Sequence, residues 1–121
     1  GFSPDGGGSW QLARFLPRQL ALKALWLATP LGAAELQAHG LVSQVCAKGQ
    51  AVDEALKLAE QLGQLAPNAL ASVKKLAQSA LRDDLAHHLD HEREHFIDNL
   101  FHANGQEGPS AFLEKRKPTF R

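Results

Sequence analysis

Apolar residues recur three and four positions apart along most of this chain, the spacing that places them on one face of an α-helix. Ser9 is suited to cap a first helix, and Pro17 is suited either to end it or to open the next one. Six further helices are predicted, at residues 18–28, 33–39, 52–65, 68–81, 83–103 and 110–117. The pattern therefore predicts a mainly helical fold.

Several helix ends are marked by residues that interrupt helical backbone. Thr29 precedes Pro30 and is pushed out of the α region, so the second helix should end there. Gly40 can adopt the left-handed conformation that closes the next one. The remaining predicted boundaries are Asn68 as an N-cap, Asp83 or Asp84 as an N-cap, and Asn104-Gly105 as a stop.

Residues 41–45, Leu-Val-Ser-Gln-Val, form the one predicted strand. A single strand leaves its backbone donors and acceptors unpaired, so its partners should lie outside the chain. The absence of methionine and the abrupt glycine-rich start point the same way. We therefore expect these residues to be part of a longer protein.

The charge balance limits the classes of partner. The chain has 121 residues, with 13 Lys and Arg against 13 Asp and Glu, whereas a general nucleic-acid binder needs a basic excess. No apolar run approaches the roughly 18–20 residues needed to cross a bilayer. Cys46 is the sole cysteine, which excludes an internal disulfide and fits a reducing compartment. We expect no nucleic-acid partner and no membrane partner.

Residues 91–95, His-Glu-Arg-Glu-His, match the H-E-x-x-H pattern in which two histidines one helical turn apart bind zinc. Glu92 would then be the general base, and His87 lies one turn earlier. A zinc hydrolase also needs a third ligand, for which only Glu107 or Glu114 can be nominated, and a substrate cleft. We interpret the match as coincidental histidines on a solvated helix and predict no metal site.

Three further stretches follow one another at suitable separations. They are Phe-Ser-Pro-Asp-Gly-Gly-Gly-Ser-Trp at 2–10, Leu-Gly-Ala-Ala-Glu leading into Gly-Leu-Val at 31–42, and Glu-Gly through Ala-Phe-Leu-Glu-Lys-Arg-Lys-Pro at 107–118. Together they resemble the C-terminal half of the enoyl-CoA hydratase/isomerase (crotonase) superfamily. Thr29 and Leu36 depart from the pattern, where glycine and alanine are usual, and affect only packing near the short helix.

The resemblance implies the C-terminal portion of an α/β spiral of ββα units. Residues 1–50 would be the end of the core, with an active-site loop, helices and the short strand. Residues 51–121 would be a C-terminal helical region of the trimerisation type. The backbone donors that bind the thioester oxygen, and the two glutamates that hydratases use, would lie upstream of Gly1. The chain alone is then expected to be inactive.

Asp5 is the candidate catalytic residue. Its position, after Pro4 and before the glycines, resembles the place where Δ3–Δ2 enoyl-CoA isomerase-type members carry their catalytic carboxylate. It would move a proton between C2 and C4 of a 3-enoyl-CoA while aimed donors stabilise the enolate-like oxyanion. The start of the first helix would favour the ionised carboxylate. The alternative is that Asp5 only caps the turn.

Phe112 and Lys115 are the candidate coenzyme A contacts. The resemblance places them near the adenine and the phosphates, often those of a neighbouring subunit. A ring offers a face for stacking, and an ammonium attracts phosphate. Because coenzyme A is part of the substrate, no separate cofactor is expected. The alternative is a packing anchor followed by a solvated basic tail.

The resemblance predicts the C-terminal part of an acyl-CoA-processing enzyme of the enoyl-CoA isomerase/hydratase type, leaning towards isomerase. The resemblance implies that this enzyme would move a proton next to a thioester carbonyl through an enolate-like oxyanion. Its expected partners are an acyl-CoA substrate and further copies of itself, in a trimer or hexamer. A cytoplasmic location is expected, with the mitochondrial matrix as the alternative. The other functional hypotheses are a non-catalytic helical oligomerisation module and a zinc hydrolase that uses His91 and His95.

Overall fold

The computed structural model describes residues 1–121 and contains seven α-helices and no β-strand. The helices are α1 (Gly8–Phe15), α2 (Arg18–Leu27), α3 (Ala33–Ala38), α4 (Ala51–Leu62), α5 (Pro67–Ser79), α6 (Leu85–Phe101) and α7 (Ala103–Leu113). None of them combines the length and the apolar character that crossing a membrane requires.

The chain forms two compact units, Gly1–Ala51 and Val52–Arg121. In the first unit α1 packs on α2. In the second unit α6 packs on both α5 and α7. Few residues are buried: Leu16, Ala21 and Ala24 in the first unit, and Asn104 and Ala111 in the second. Each unit therefore has a small core and leaves much of its apolar surface exposed.

Two predicted helix ends are confirmed by hydrogen bonds. Gly40 closes α3 at φ 76°, where its N–H donates to the Gln37 carbonyl and the Leu41 N–H donates to the Leu36 carbonyl. This pair of bonds is the Schellman motif, which glycine favours because it lacks a Cβ. Asp84 caps α6, since its Oδ1 accepts a hydrogen bond from the His87 N–H at 3.0 Å.

Residues 41–45 do not form the predicted strand. The N–H groups of Leu41 and Val42 turn back to the Leu36 carbonyl, as the closing turn of α3 requires. No other segment of the chain is a strand, so residues 41–45 have no sheet partner within it.

Two predicted N-caps are also wrong. The residue before α1 is Gly7 in the left-handed conformation, with no side-chain cap, so Ser9 lies inside the helix. Pro67 opens α5 at the first helical position, where its missing N–H costs nothing. Asn68 therefore lies within the first turn, and its side chain bonds to other helices.

The last helix begins seven residues before the predicted position. His102 alone separates α6 from α7, and its Nδ1 accepts a hydrogen bond from the Asn104 N–H. Asn104-Gly105 therefore opens α7 and does not form the predicted stop. A Cβ at Gly105 would collide with the Asn99 carbonyl oxygen, so a glycine is needed for this close approach of the two helices.

Candidate functional site

Asp5 lies in a turn that leads into α1. The Gly8 N–H donates to the Asp5 backbone carbonyl at 3.0 Å, and Gly6 and Gly7 between them adopt φ values of 55° and 85°. Glycine adopts such angles without steric cost. The exposed carboxylate of Asp5 takes no part in the turn and has no hydrogen-bond or ion-pair partner. The turn therefore holds the backbone of Asp5 and leaves its carboxylate free.

Phe112 and Lys115 are brought together by the turn that ends α7. The Lys115 N–H donates to the Phe112 carbonyl, and the Arg116 N–H donates to the Ala111 carbonyl at 3.0 Å. These bonds form a second Schellman motif. The Phe112 ring is 83% exposed, and the Lys115 ammonium has no carboxylate partner. The turn therefore exposes an aromatic ring and an unpaired positive charge three residues apart in sequence.

Lys115 is the left-handed residue of this second motif, at φ 55°. The corresponding residue after α3 is Gly40. A side chain in this conformation crowds the following carbonyl and costs roughly 1–2 kcal/mol. Strain of this kind is often found at functional sites, and Ala28, the C-cap of α2, shows that a helix end alone also produces it, at φ 50°.

Arg116 has a structural role that the sequence analysis did not predict. Its guanidinium makes two hydrogen bonds with the Glu107 carboxylate, at 2.5 and 2.9 Å, and a third with Glu114 at 2.6 Å. The Thr119 N–H also donates to Glu107, at 2.7 Å. Glu107 and Glu114, the two nominated zinc ligands, are therefore both paired with Arg116. Among the three basic residues at 115–117, Arg116 is the one that holds the segment after α7 against Glu107 of that helix.

These contacts lower the pKa of Glu107 to about 2. The hydrogen bonds from Arg116 are the main cause, and the Thr119 N–H adds to them. A carboxyl whose pKa falls on folding stabilises the protein above its unfolded-state pKa, and that contribution disappears as the pH falls through the folded value. The contribution of Glu107 should thus be complete above about pH 4.5 and absent below about pH 2.

Replacing Glu107 by glutamine should lower the unfolding temperature at neutral pH, because an amide cannot form the charged pair with Arg116. The difference from the unmodified protein should stay constant above pH 5 and close as the pH falls towards 2. Thermal unfolding followed by circular dichroism between pH 2 and 7 measures it. Glu60→Gln, at an exposed position on α4 with no such pair, is the matched control. A Glu107→Gln difference that does not vary with pH would contradict this assignment.

Asn104 fastens the end of the chain to the helices. It is 5% exposed, and its side-chain amide donates to Asn68 Oδ1 at 2.7 Å and to the Arg121 carbonyl at 2.8 Å. Its Oδ1 accepts a hydrogen bond from the Arg121 N–H at 2.9 Å. Asn68 in turn donates to Asn99 on α6. One buried asparagine thus joins α5, α7 and the tail that follows Lys115.

The residues of the H-E-x-x-H match have separate partners. His95 Nδ1 lies 3.1 Å from Ser72 Oγ on α5, and Glu92 Oε1 lies 3.5 Å from His88 Nε2. His91 Nδ1 instead faces Asp83, one residue before the cap of α6. The structure therefore gives His91 and His95 different surroundings.

The candidate residues fall in different units of the chain. Asp5 belongs to Gly1–Ala51, whereas Phe112 and Lys115 belong to Val52–Arg121. The first unit supplies a carboxylate suited to proton transfer, and the second supplies a turn suited to a ligand with aromatic and phosphate groups.

The helical fold matches the C-terminal portion of solved crotonase-fold structures. An enoyl-CoA hydratase from Polaromonas sp. JS666 superposes with a TM-score of 0.94 at 51% identity, over 100% of this chain and 47% of that one. The sequence profile described as enoyl-CoA hydratase/isomerase matches residues 1–121. The chain belongs to the enoyl-CoA hydratase/isomerase family, which confirms the predicted resemblance.

Curated relatives agree with this assignment. The mitochondrial enoyl-CoA hydratase domain-containing protein 3 of Rattus norvegicus is 34% identical over 109 residues, covering 90% of this chain and 36% of that protein. The carnitinyl-CoA dehydratase of Escherichia coli O157:H7 is 30% identical over 125 residues, covering 100% of this chain and 48% of that protein. The chain spans between about a third and a half of these relatives and aligns with their C-terminal half.

Proposed function

We propose that the protein carrying this chain is an acyl-CoA-processing enzyme of the enoyl-CoA isomerase/hydratase type, and that it acts as an isomerase. The observation that carries the proposal is the free carboxylate of Asp5 in the ordered turn before α1, within a chain of this family. A carboxylate with no partner in the protein is available to exchange a proton with a substrate.

In the proposed reaction Asp5 removes a proton from C2 of a 3-enoyl-CoA. The C2–H electron pair forms a C1=C2 bond, and the carbonyl electron pair moves onto the thioester oxygen to give a dienolate. When the carbonyl re-forms, the C1=C2 pair becomes the new C2=C3 double bond, and the former C3=C4 pair takes up the proton from Asp5 at C4. The intermediate carries negative charge on the thioester oxygen, which aimed backbone N–H donors stabilise. These donors belong to parts of the protein outside residues 1–121. Asp5 ends the cycle ionised, as it began.

The Phe112–Lys115 turn is the proposed contact for coenzyme A. The exposed ring of Phe112 offers a stacking face for adenine, and the unpaired ammonium of Lys115 offers charge to a phosphate. Coenzyme A arrives as part of the substrate, so no separate cofactor is involved. The left-handed backbone of Lys115 supports this role, because a glycine would fit the turn with less strain.

Replacing Lys115 by glycine separates binding from structure. We expect the KM for acyl-CoA to rise about tenfold, the equivalent of one charge-assisted hydrogen bond, with kcat unchanged. Because glycine relieves the left-handed strain, the unfolding temperature should stay the same or rise. Steady-state kinetics of the intact protein and its thermal unfolding provide both measurements.

The matched control is Lys117→Gly, which removes an exposed lysine two residues further along. It should leave KM nearly unchanged. An equal rise in KM in both variants would mean that only the overall charge of the tail matters. A different result would favour the non-catalytic oligomerisation module. In that case the intact protein would self-associate in light scattering but would neither bind coenzyme A nor turn over an enoyl-CoA.

The exposed apolar side of α6 supports the proposed homo-oligomer, a trimer or hexamer. The large apolar residues exposed there are Leu85, Leu89, Phe96, Ile97, Leu100 and Phe101. Exposed apolar side chains concentrated on one helix are typical of a surface that contacts another protein. A cytoplasmic location is part of the same proposal, although the name of the rat relative places that protein in mitochondria.

A further inference from the structure

Three side chains that the proposed acyl-CoA chemistry does not use meet at the start of α6. They are Asp83, just before the helix cap, and His87 and His91, one helical turn apart. Residues four apart lie on the same helix face, so both imidazoles point to the side from which Asp83 approaches. One ligand atom from each of the three lies within 4.8 Å of the other two.

One ligand-atom distance in this cluster matches the geometry of a zinc site. His91 Nδ1 lies 3.3 Å from Asp83 Oδ2, and the rings of His87 and His91 have their centroids 4.4 Å apart. Zinc binds imidazole nitrogen and carboxylate oxygen at about 2.0–2.1 Å in a tetrahedron, which separates two ligand atoms by roughly 3.3 Å. The separation between His91 and Asp83 therefore equals one edge of that tetrahedron.

Asp83 Oδ2 is buried and accepts no well-aligned hydrogen bond, although His91 Nδ1 lies 3.3 Å from it. The atom is buried although 18% of the Asp83 side chain is exposed, and 35% of His91 is exposed. An unsatisfied buried oxygen is unfavourable, and a coordinated cation would remove that cost. The positive end of the α6 dipole opposes a cation, but the carboxylates of Asp83 and Asp84 lie in front of it.

We propose that Asp83, His87 and His91 bind a divalent transition metal ion of the zinc type. Two imidazoles and one carboxylate are ligands that zinc accepts, whereas magnesium and calcium prefer sets made only of oxygen atoms. With three protein ligands, the fourth position is left for water. The site differs from the H-E-x-x-H hypothesis because it uses Asp83 and His87 and omits His95. It also departs from our sequence-based prediction of no metal site.

Calorimetric titration of zinc chloride into the intact protein tests the proposal. The protein is purified without metal-affinity resin and treated with a chelator beforehand. We expect one zinc ion per chain. His87→Ala and His91→Ala should each weaken binding at least about tenfold, as should Asp83→Asn, which preserves the side-chain shape. The absorption spectrum of bound cobalt(II) is a second measurement, and it should show nitrogen ligands that each histidine variant loses.

Two control variants keep the ligands and remove other histidines. His95→Ala, within the sequence motif, and His39→Ala, exposed after α3, should bind zinc as the unmodified protein does. Equal zinc affinity in the unmodified protein and in a folded His87→Ala, His91→Ala double variant would overturn the proposal. So would loss of binding in His95→Ala with retention in His87→Ala, which would support the H-E-x-x-H site. Circular dichroism shows whether each variant folds.

Discussion

Replacing Asp5 by asparagine should lower the turnover of a 3-enoyl-CoA by about 10²-fold or more, because general acid–base catalysis contributes on this scale. Asparagine keeps the size of the side chain but cannot accept the C2 proton. The turn should survive, since its hydrogen bond joins the Gly8 N–H to the backbone carbonyl of residue 5 and not to the carboxylate. The loss should therefore appear in kcat, with unfolding temperature and KM little changed.

The measurement is the rate at which the intact protein forms the conjugated 2-enoyl product. Asp98→Asn, at an exposed position on α6, is the matched control and should keep full activity. Unchanged turnover in Asp5→Asn would remove the proposed role. If the unmodified protein hydrates a 2-enoyl-CoA and Asp5→Asn hydrates it equally well, the enzyme is of the hydratase type and its carboxylates lie elsewhere. The test thus separates the two reactions that the family name joins.

Helices were predictable here because their signal is local. The apolar spacing of residues 18–28 reports one face of one helix, and α2 occupies Arg18–Leu27. Gly40 and Asp84 were equally readable, since each ends or caps a helix through bonds to residues within four or five positions. The structure places both where local backbone chemistry requires them.

Boundaries set by distant contacts were not predictable. Asn104-Gly105 has the composition of a helix stop, yet packing on α6 and bonds to Asn68 and Arg121 hold it inside α7. These partners lie 36 and 17 residues away in sequence. The predicted strand failed for the same reason, because a strand exists only where another segment pairs with it.

The candidate site shows the same division. Asp5, Phe112 and Lys115 are predicted as site residues through the family resemblance of the short segments that contain them. The pairing of Glu107 with Arg116 and the left-handed backbone of Lys115 required coordinates. The sequence predicts Asp83 only as a possible helix cap, although it stands four residues before His87 and eight before His91. That spacing is the signal that would have joined it to them.

Replacing Asn104 by alanine should lower the free energy of unfolding by about 2–3 kcal/mol, because it removes three part-buried hydrogen bonds that each contribute about 1 kcal/mol. The Arg121 N–H and carbonyl lose their side-chain partners, and Asn68 Oδ1 loses a donor. The urea midpoint should fall with an unchanged slope. The urea midpoint of Asn104→Asp should lie between those of the unmodified protein and of Asn104→Ala. Aspartate retains an acceptor for the Arg121 N–H but lacks the amide donors. Gln61→Ala, an exposed amide on α4, should have almost no effect.

The same variant tests whether the tail helps to position the coenzyme A contact. Two sets of bonds hold the segment that contains Lys115: Asn104 binds Arg121 at the end of the chain, and Glu107 binds Arg116 in the turn. The Asn104→Ala variant loses only the first of these. The KM for acyl-CoA should therefore rise less in Asn104→Ala than in Lys115→Gly, although Asn104→Ala is the less stable protein. A larger rise in Asn104→Ala would show that the tail itself, and not the lysine, makes the main contact.

The stability prediction has its own contradicting outcome. An unfolding midpoint of Asn104→Ala equal to that of Gln61→Ala would show that the Asn104 hydrogen bonds do not stabilise the folded state.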